Sequence, residues 1–441
     1  MAAIDASIYE EFIIESTDGS KSVDIARGVI TFAYYEDIFS PTITAKVIIT
    51  NDGGTIEGPD GEMTSLYNGL PIRGGERVSI KIAGNSADNP GIDFSEDATK
   101  HLYVSSVKNV IQNTNSETFV LDLVPRETIT NETSRVGKKF TSSTSISDSV
   151  KDIVKQYLKT DKLKDSNVDK TQNPYGFLGN LRKPFTILTW LASKSVPGEV
   201  SGKDATAGYL FFETIDGYNF KSIDSLIAGD PVEGEYVYTE AAITDMPDND
   251  FKILKYNTNK NQDLLSNLQR GAYCSHRIFF NPLTFTYTNP EKGLFKMENY
   301  VGKTENLGKD IKLPSIGEDS DKTLGDIPSR NITAVMDIGT LEKNASMKDN
   351  ADPTKIFSQT MMRYNTTLTQ TMSVTIPSNT NLKAGNLIQC QFPNISRDKN
   401  GSPDEEQSGL YMIKELCHFF DTNGSYTSMK LLRDTFGRKE K

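Results

Sequence analysis

Ile43, Ala45, Val47 and Ile49 alternate with Thr44, Lys46 and Ile48, a period of two that biases one face of a strand towards a core. Similar runs fill most of the first 125 or so residues. Tyr9–Glu15 leads into Thr17-Asp18-Gly19-Ser20, a hairpin signal, with Ser22–Ile25 as the expected return. Gly28–Tyr35, Gly75–Ile82, Leu102–Val110 and Glu117–Val124 add further strands, and Asn51-Asp52-Gly53-Gly54 punctuates one end. Ser65-Leu66-Tyr67-Asn68-Gly69-Leu70 interrupts them as a single helical turn. Six or seven short antiparallel strands predict a barrel or sandwich.

The period changes after Pro125. Ser145-Ile146-Ser147-Asp148 offers an N-cap with an acidic residue in the first turn. Ile146, Val150, Ile153, Val154, Tyr157 and Leu158 then recur at helical spacing, predicting an amphipathic helix over 146–159. A second helix is expected from Pro184 through Ile187, Leu188 and Leu191, stopping before Pro197-Gly198. Strand character returns at Tyr209–Glu213, with a turn at Asp216-Gly217 and a strand around Phe220–Ile223. Residues 246–350 mix alternating pieces such as Leu283–Tyr287 with polar stretches such as Gly317–Asp326, and read as an insertion with long loops. A short helix is expected from Asp352-Pro353 to about Arg363, followed by a strand in which Leu368, Gln370, Met372, Val374 and Ile376 alternate with Thr369, Thr371, Ser373 and Thr375.

A diffuse internal repeat organises these pieces. Gly75-Glu76-Arg77-Val78-Ser79-Ile80-Lys81-Ile82 lines up with Gly385-Asn386-Leu387-Ile388-Gln389-Cys390-Gln391-Phe392. Leu102–Val107 matches Tyr411–Leu416, and Leu121 with Leu123 matches Met429 with Leu431. Tyr9–Glu15 with Asp18-Gly19 resembles Tyr209–Glu213 with Asp216-Gly217 at a different offset, as an insertion in the second copy would produce. The predicted fold is mainly β (α+β overall). Two antiparallel β-barrel domains occupy 1–128 and, discontinuously, 206–245 with 351–441; a mixed helical domain (129–205) lies between them, and the insertion domain is 246–350.

A chain of 441 residues accommodates about two to four such domains. Its 48 Lys+Arg against 59 Asp+Glu give a net charge of −11, a poor basis for holding nucleic acid phosphates. Three cysteines without a CxxC pair exclude a disulfide scaffold and suit a reducing compartment. The N-terminus lacks a charged and apolar leader, and no apolar run approaches the roughly 18 residues that span a bilayer, so no stable membrane insertion is expected.

Chemistry is hard to find. Phosphate-loop, dinucleotide and nucleophile-elbow motifs are missing. His101, His276 and His418 are far apart, without metal-ligand spacing, and His101 and His418 read as structural or surface histidines. Cys390 and Cys417 read as buried strand residues. Cys274-Ser275-His276 is adjacency in sequence, not catalytic geometry. Asp93, Glu96 and Asp97, and likewise Glu318, Asp319 and Asp321, sit in polar loops, and Asp398-Lys399-Asn400-Gly401 lacks the closing Glu of a calcium loop. No catalytic, cofactor-binding or metal residue is assigned, and the chain is not expected to be an enzyme.

The chain resembles the central baseplate hub (tail-tube initiator) proteins of T4-like contractile-tailed myoviruses. The residues that carry the resemblance are Ser7-Ile8-Tyr9-Glu10-Glu11-Phe12, Leu70-Pro71-Ile72-Arg73-Gly74-Gly75-Glu76, Gly208–Thr214 with Phe220–Asp224, Ser408–Ile413 and Leu431-Leu432-Arg433-Asp434-Thr435. It spans most of the length and is weakest over 246–350. It implies a homotrimer in which each chain supplies two tube-like barrels, so that three chains present a pseudo-sixfold ring. The ring would adapt the sixfold tail tube to the threefold spike and nucleate tube assembly. A trimeric spike protein on the distal side and tube or tube-initiator proteins on the proximal side are the implied partners. DNA would pass through the channel without specific binding, and the location would be the virion baseplate, assembled in the host cytoplasm. The rivals are a spike-base protein of a related contractile injection system and a carbohydrate-active β-domain enzyme. Against the second, the chain has one tryptophan, Trp190, in a predicted helix.

Overall fold

The computed structural model describes residues 4–52, 54–57, 61–86, 89–200, 203–239, 249–260, 263–287, 293–299, 306–317, 320–337, 356, 358–394 and 402–439. Strand accounts for 43% and helix for 18%, so the chain is mainly β, built on one large sheet.

The N-terminal strands are β1 (Tyr9–Glu15), β2 (Ser22–Asp24), β3 (Val29–Asp37), β4 (Thr44–Asp52), β5 (Arg77–Ala83), β6 (Gly91–Asp93), β7 (Leu102–Gln112) and β8 (Ser116–Pro125). Their inward residues, among them Phe12, Phe32, Val47, Ile80, Leu102 and Leu121, are fully buried in one core. Each such side chain contributes roughly 1.5–3 kcal/mol on leaving water. Hydrogen bonding runs β1–β5–β7–β8–β4–β3, antiparallel throughout. Upstream of β3 the same stretch pairs with β1 as β2, and the Ile25 N–H donates to the Phe12 carbonyl at 2.8 Å. The circuit therefore closes around its core. Across the seam Phe12 and Phe32 meet edge to face, 6.3 Å between centroids.

The middle of the chain folds around a second core. Helix α1 (Ile146–Ile153) is capped by Ser145, whose hydroxyl accepts from the Asp148 N–H at 3.1 Å, and it continues through a π-turn to Leu158. Helix α2 (Pro184–Ala192) begins on its proline. Both pack on a hairpin of β9 (Tyr209–Thr214) and β10 (Gly217–Ser222). The hairpin is buried on both faces: Tyr209 and Phe211 enter the helical core, while Leu210 and Phe212 pack against the C-terminal strands. Tyr9–Glu15 and Tyr209–Glu213 are consequently not equivalent, contrary to the sequence expectation, because among the described residues β9 pairs only with β10 and joins neither closed circuit. A nearly continuous apolar run here reflects burial on two faces.

β11 (Pro231–Tyr238), β12 (Lys252–Ile253) and β13 (Lys255–Lys260) follow. Within 246–350 a small separate sheet is centred on β14 (Cys274–Asn281), flanked by β15 (Leu294–Lys296) and a parallel β16 (Arg330–Val335). The strand expected over Leu283–Tyr287 lies mostly in turns, and the longer strand is the preceding one. Helix α3 (Ser358–Thr367) runs later than expected; residues 351–355 and 357 fall outside the described residues. The chain ends with β17 (Gln370–Pro377), β18 (Leu387–Gln391), β19 (Gly409–Asp421) and β20 (Ser425–Arg433).

These strands form a second closed circuit, β11–β18–β19–β20–β17–β13. β12, immediately before β13, returns to β11. Its core holds Tyr236, Met372, Val374, Ile388, Leu416 and Leu431. Strand for strand the order matches the first circuit, and the three sequence matches whose offsets lie at 308–310 fall on β5/β18, β7/β19 and β8/β20. The counterpart of β1 is β11, which runs parallel to both of its neighbours whereas β1 runs antiparallel to both of its own.

Candidate functional site

The two circuits are joined edge to edge. β3 and β19 pair antiparallel from Asp37 opposite Glu415 to Thr31 opposite Asp421, and the Ile38 N–H extends the ladder to the Lys414 carbonyl at 2.9 Å. Inward residues follow the period of two across the seam: Phe32 stacks on Phe420 at 6.4 Å, and Tyr34 stacks on His418 at 6.1 Å. Both His418 nitrogens are engaged, Nδ1 with the Thr427 hydroxyl at 3.0 Å and Nε2 with the Leu382 carbonyl at 3.2 Å. A carbonyl can only accept, so Nε2 carries the proton. Burial pulls the ring down to about 4, which keeps it neutral.

Glu36, 1% exposed, gathers three parts of the chain at this seam. Its Oε1 accepts from the Tyr34 hydroxyl and the Ile215 N–H, both at 2.7 Å, and its Oε2 from the Ala384 N–H at 2.8 Å. One carboxylate thus links β3, the β9–β10 turn and the loop before β18. Burial pushes its pKa up to about 7 despite these donors.

Two further charged clusters fix the middle of the chain. Lys162 Nζ lies 2.8 Å from Glu127 and 3.4 Å from Glu213, while Glu213 Oε2 accepts from the Ile43 N–H at 3.2 Å. Burial raises Glu213 to about 7. Burial alone would pull Lys162 down, and the two carboxylates outweigh it and hold the amine above its usual range. On the other side Arg363 bridges Asp224 at 2.6 Å and Asp434 at 2.9 Å, all three almost wholly buried. Asp224 also accepts from the Thr206 backbone and hydroxyl, and Asp434 from the Leu307 N–H.

An open groove of about 870 Å³ passes Lys100, Arg126, Glu127, Lys162, Glu213 and Asp216. Its two neighbouring carboxylates invite an acid/base reading, but the ammonium between them and the Ile43 N–H hold them as a structural clamp. Cys274 is likewise unsuited to attack, since burial pushes its thiol up to about 11. His101 is buried, with Nε2 3.4 Å from the Ser95 carbonyl. Cys390 is buried in β18 and Cys417 half-buried in β19. Among the described residues no group of three His, Cys, Asp or Glu could hold a metal ion, and no helix is long and apolar enough to cross a membrane. Asp398–Gly401, Glu318 and Asp319 fall outside the described residues.

Glu36, Glu213 and Arg363 were not singled out in the sequence. A signal for the first existed: Phe32, Tyr34 and Glu36 share one parity of an otherwise apolar strand face, where a charge must be paired or hydrogen-bonded.

No protein-family model matches the chain, and no curated protein matches it in sequence. Solved structures do match. A tail protein from Neisseria meningitidis superposes with a TM-score of 0.51 at 11% identity, covering 96% of this chain and 97% of its own. The 43 kDa tail protein of prophage MuSo2 from Shewanella oneidensis gives 0.51 at 10% identity, covering 96% and 98%. A component of the E. coli type VI secretion system gives 0.41 at 9% identity over 94% and 76%. The first two show that this chain shares the fold of those tail proteins along nearly its whole length.

Proposed function

We propose that the protein is a structural component of a phage-type tail, a hub in the baseplate that forms a homotrimer and presents six like surfaces from three chains. The observation that carries this reading is the pair of closed circuits of matching strand order, joined edge to edge by β3 and β19. Each circuit is read as one tube-like barrel domain, the second interrupted by the 246–350 insertion. A ring of three such chains has a sixfold wall and a threefold symmetry axis, which is what a connector between a sixfold tube and a threefold spike requires. The hub would seat a trimeric spike on its distal side and start the tube on its proximal side. It has no role for an active site: the buried carboxylates and cations described above hold segments together.

The fold shared with two tail proteins supports the reading. Light scattering or native mass measurement on the purified chain tests it, with a mass of three chains expected. A protein that stays monomeric, even when mixed with its spike and tube neighbours, would overturn it.

A further inference from the structure

The internal junction uses one edge from each circuit, and among the described residues no strand pairs with the equivalent edges, on β7 beyond Tyr103 and on β13. β19 gives Gly409–Met412 to β18 and then passes its remaining edge, Glu415–Asp421, to β3. Its counterpart β7 meets β5 only at Leu102 and Tyr103. Among the described residues no strand covers the same edge of β7 from Ser105 to Gln112. The correspondence extends to irregularities: β19 bulges between Ile413 and Glu415 against β20, and β7 bulges at the equivalent place against β8, where Asp122 and Leu123 face Ser106 and Val104. β3 pairs on one side with β4 and on the other with β19. Among the described residues its counterpart β13 pairs with β17 alone.

The burial pattern agrees with a missing partner. In the internal junction Phe420 is fully buried and His418 is 2% exposed. On β7, Val110 is 39% and Ile111 66% exposed, apolar side chains on an open strand edge, which natural sheets otherwise blunt or cover. On β13, Lys255, Asn257 and Asn259 are exposed and Tyr256 is half-buried.

Resting on the trimeric reading above, we infer that the Ser106–Gln112 edge of β7 pairs antiparallel with β13 (Lys255–Lys260) of a second copy of this chain, repeating between molecules the β3–β19 junction found within one. Transferring the internal register places Val107 opposite Lys260 and Lys108 opposite Asn259. Cys417 and Tyr35, the internal equivalents of the latter pair, stand opposite each other and share a hydrogen bond. Beyond Lys108 a second bulge at Asn109, with φ of 51°, turns Val110 and Ile111 towards the Tyr256 end of the arriving strand. The contact is head-to-tail: each copy offers one β7 and one β13. It therefore propagates until the rotation closes a ring. With two equivalent junctions per chain, one internal and one between copies, closure at three copies gives six.

Cysteine pairing tests this without breaking the assembly. In the double variant Lys108→Cys/Asn259→Cys, opposed strand positions lie within disulfide reach. Mild oxidation should give covalent ladders ending at three chains, while either single variant stays uncrosslinked, the native cysteines being buried or half-buried. Ile111→Lys, at an exposed site, should lower the oligomeric mass while leaving the thermal unfolding midpoint of the isolated chain unchanged. A trimer by mass in which neither the double variant nor a Lys108→Cys/Asn257→Cys control crosslinks would overturn this interface and leave the trimeric hub standing. A strictly monomeric chain would overturn both.

Discussion

Tyr238 and Tyr256 meet edge to face, 4.6 Å between centroids, where β11 comes round to β13. Phe12 and Phe32 make the same kind of contact at the seam of the first circuit. In both halves an aromatic pair sits where the circuit closes. A double-mutant cycle on Tyr238→Ala and Tyr256→Ala should yield a coupling of about 0.5–1.5 kcal/mol in urea unfolding. Phe12→Ala, at a fully buried position, should cost about 3–5 kcal/mol. Additive tyrosine effects would mean that the second seam is not held by this contact.

Arg363 is a stricter test of the middle of the chain. Removing it strands two buried carboxylates, Asp224 and Asp434, and such losses cost about 3–5 kcal/mol. Arg363→Ala should show a loss of this size in denaturant midpoint at constant m-value. A loss below about 1 kcal/mol would show that water reaches the cluster.

Glu36 predicts a pH signature. Its folded value near 7 lies above the ordinary carboxylate value of 4.5, so between these limits the folded chain holds a proton that the unfolded chain releases. Its contribution to stability is fully present below about 4.5 and lost as pH rises through about 7. Glu36→Gln, which leaves one backbone donor facing an amide N–H, should cost about 1–3 kcal/mol. The wild-type advantage should be larger at pH 5 than at pH 8.

His418 acts in the opposite sense. Its folded value near 4 lies below the ordinary 6.5, so its contribution is present above 6.5 and lost as pH falls through about 4. The advantage of wild type over His418→Gln should shrink between pH 7.5 and pH 4.5. Parallel stability curves for the two chains would refute a neutral buried ring.

The net charge of −11 predicts how the proposed channel treats DNA. Without a cationic surplus the counterion-release term is weak, so the purified protein should fail to retard duplex DNA at physiological salt up to roughly 10 μM, a range in which non-specific binders already associate. Tighter binding would exclude passive passage.

Much of the fold was legible because local pattern and tertiary role agree. Ile43–Ile49 alternates and becomes one face of β4; Ser145 looks like a cap and is one; Gly75 and Gly385 each precede corresponding strands. Reading failed where a segment serves two cores at once. Tyr209–Thr214 has the apolar content of a barrel strand, but its two faces enter different cores, and a linear pattern cannot show that. β11 was missed as the counterpart of β1 because Pro231, Gly234 and three half-buried positions dilute its alternation. The β3–β19 seam joins residues nearly the full chain apart, and only pairing in space reveals why Glu36 stands on an apolar face.

The reversal of β11 reaches beyond topology. A strand can be inverted within a hydrogen-bonded wall at little energetic penalty, since either polarity satisfies its neighbours, but the inversion decides from which rim the chain departs. The two halves share a wall of matching strand order and differ in what is added to it: α1, α2, the β9–β10 hairpin and the inserted sheet all lie between β8 and β17. In the proposed trimer these additions would recur three times around a wall of six like parts.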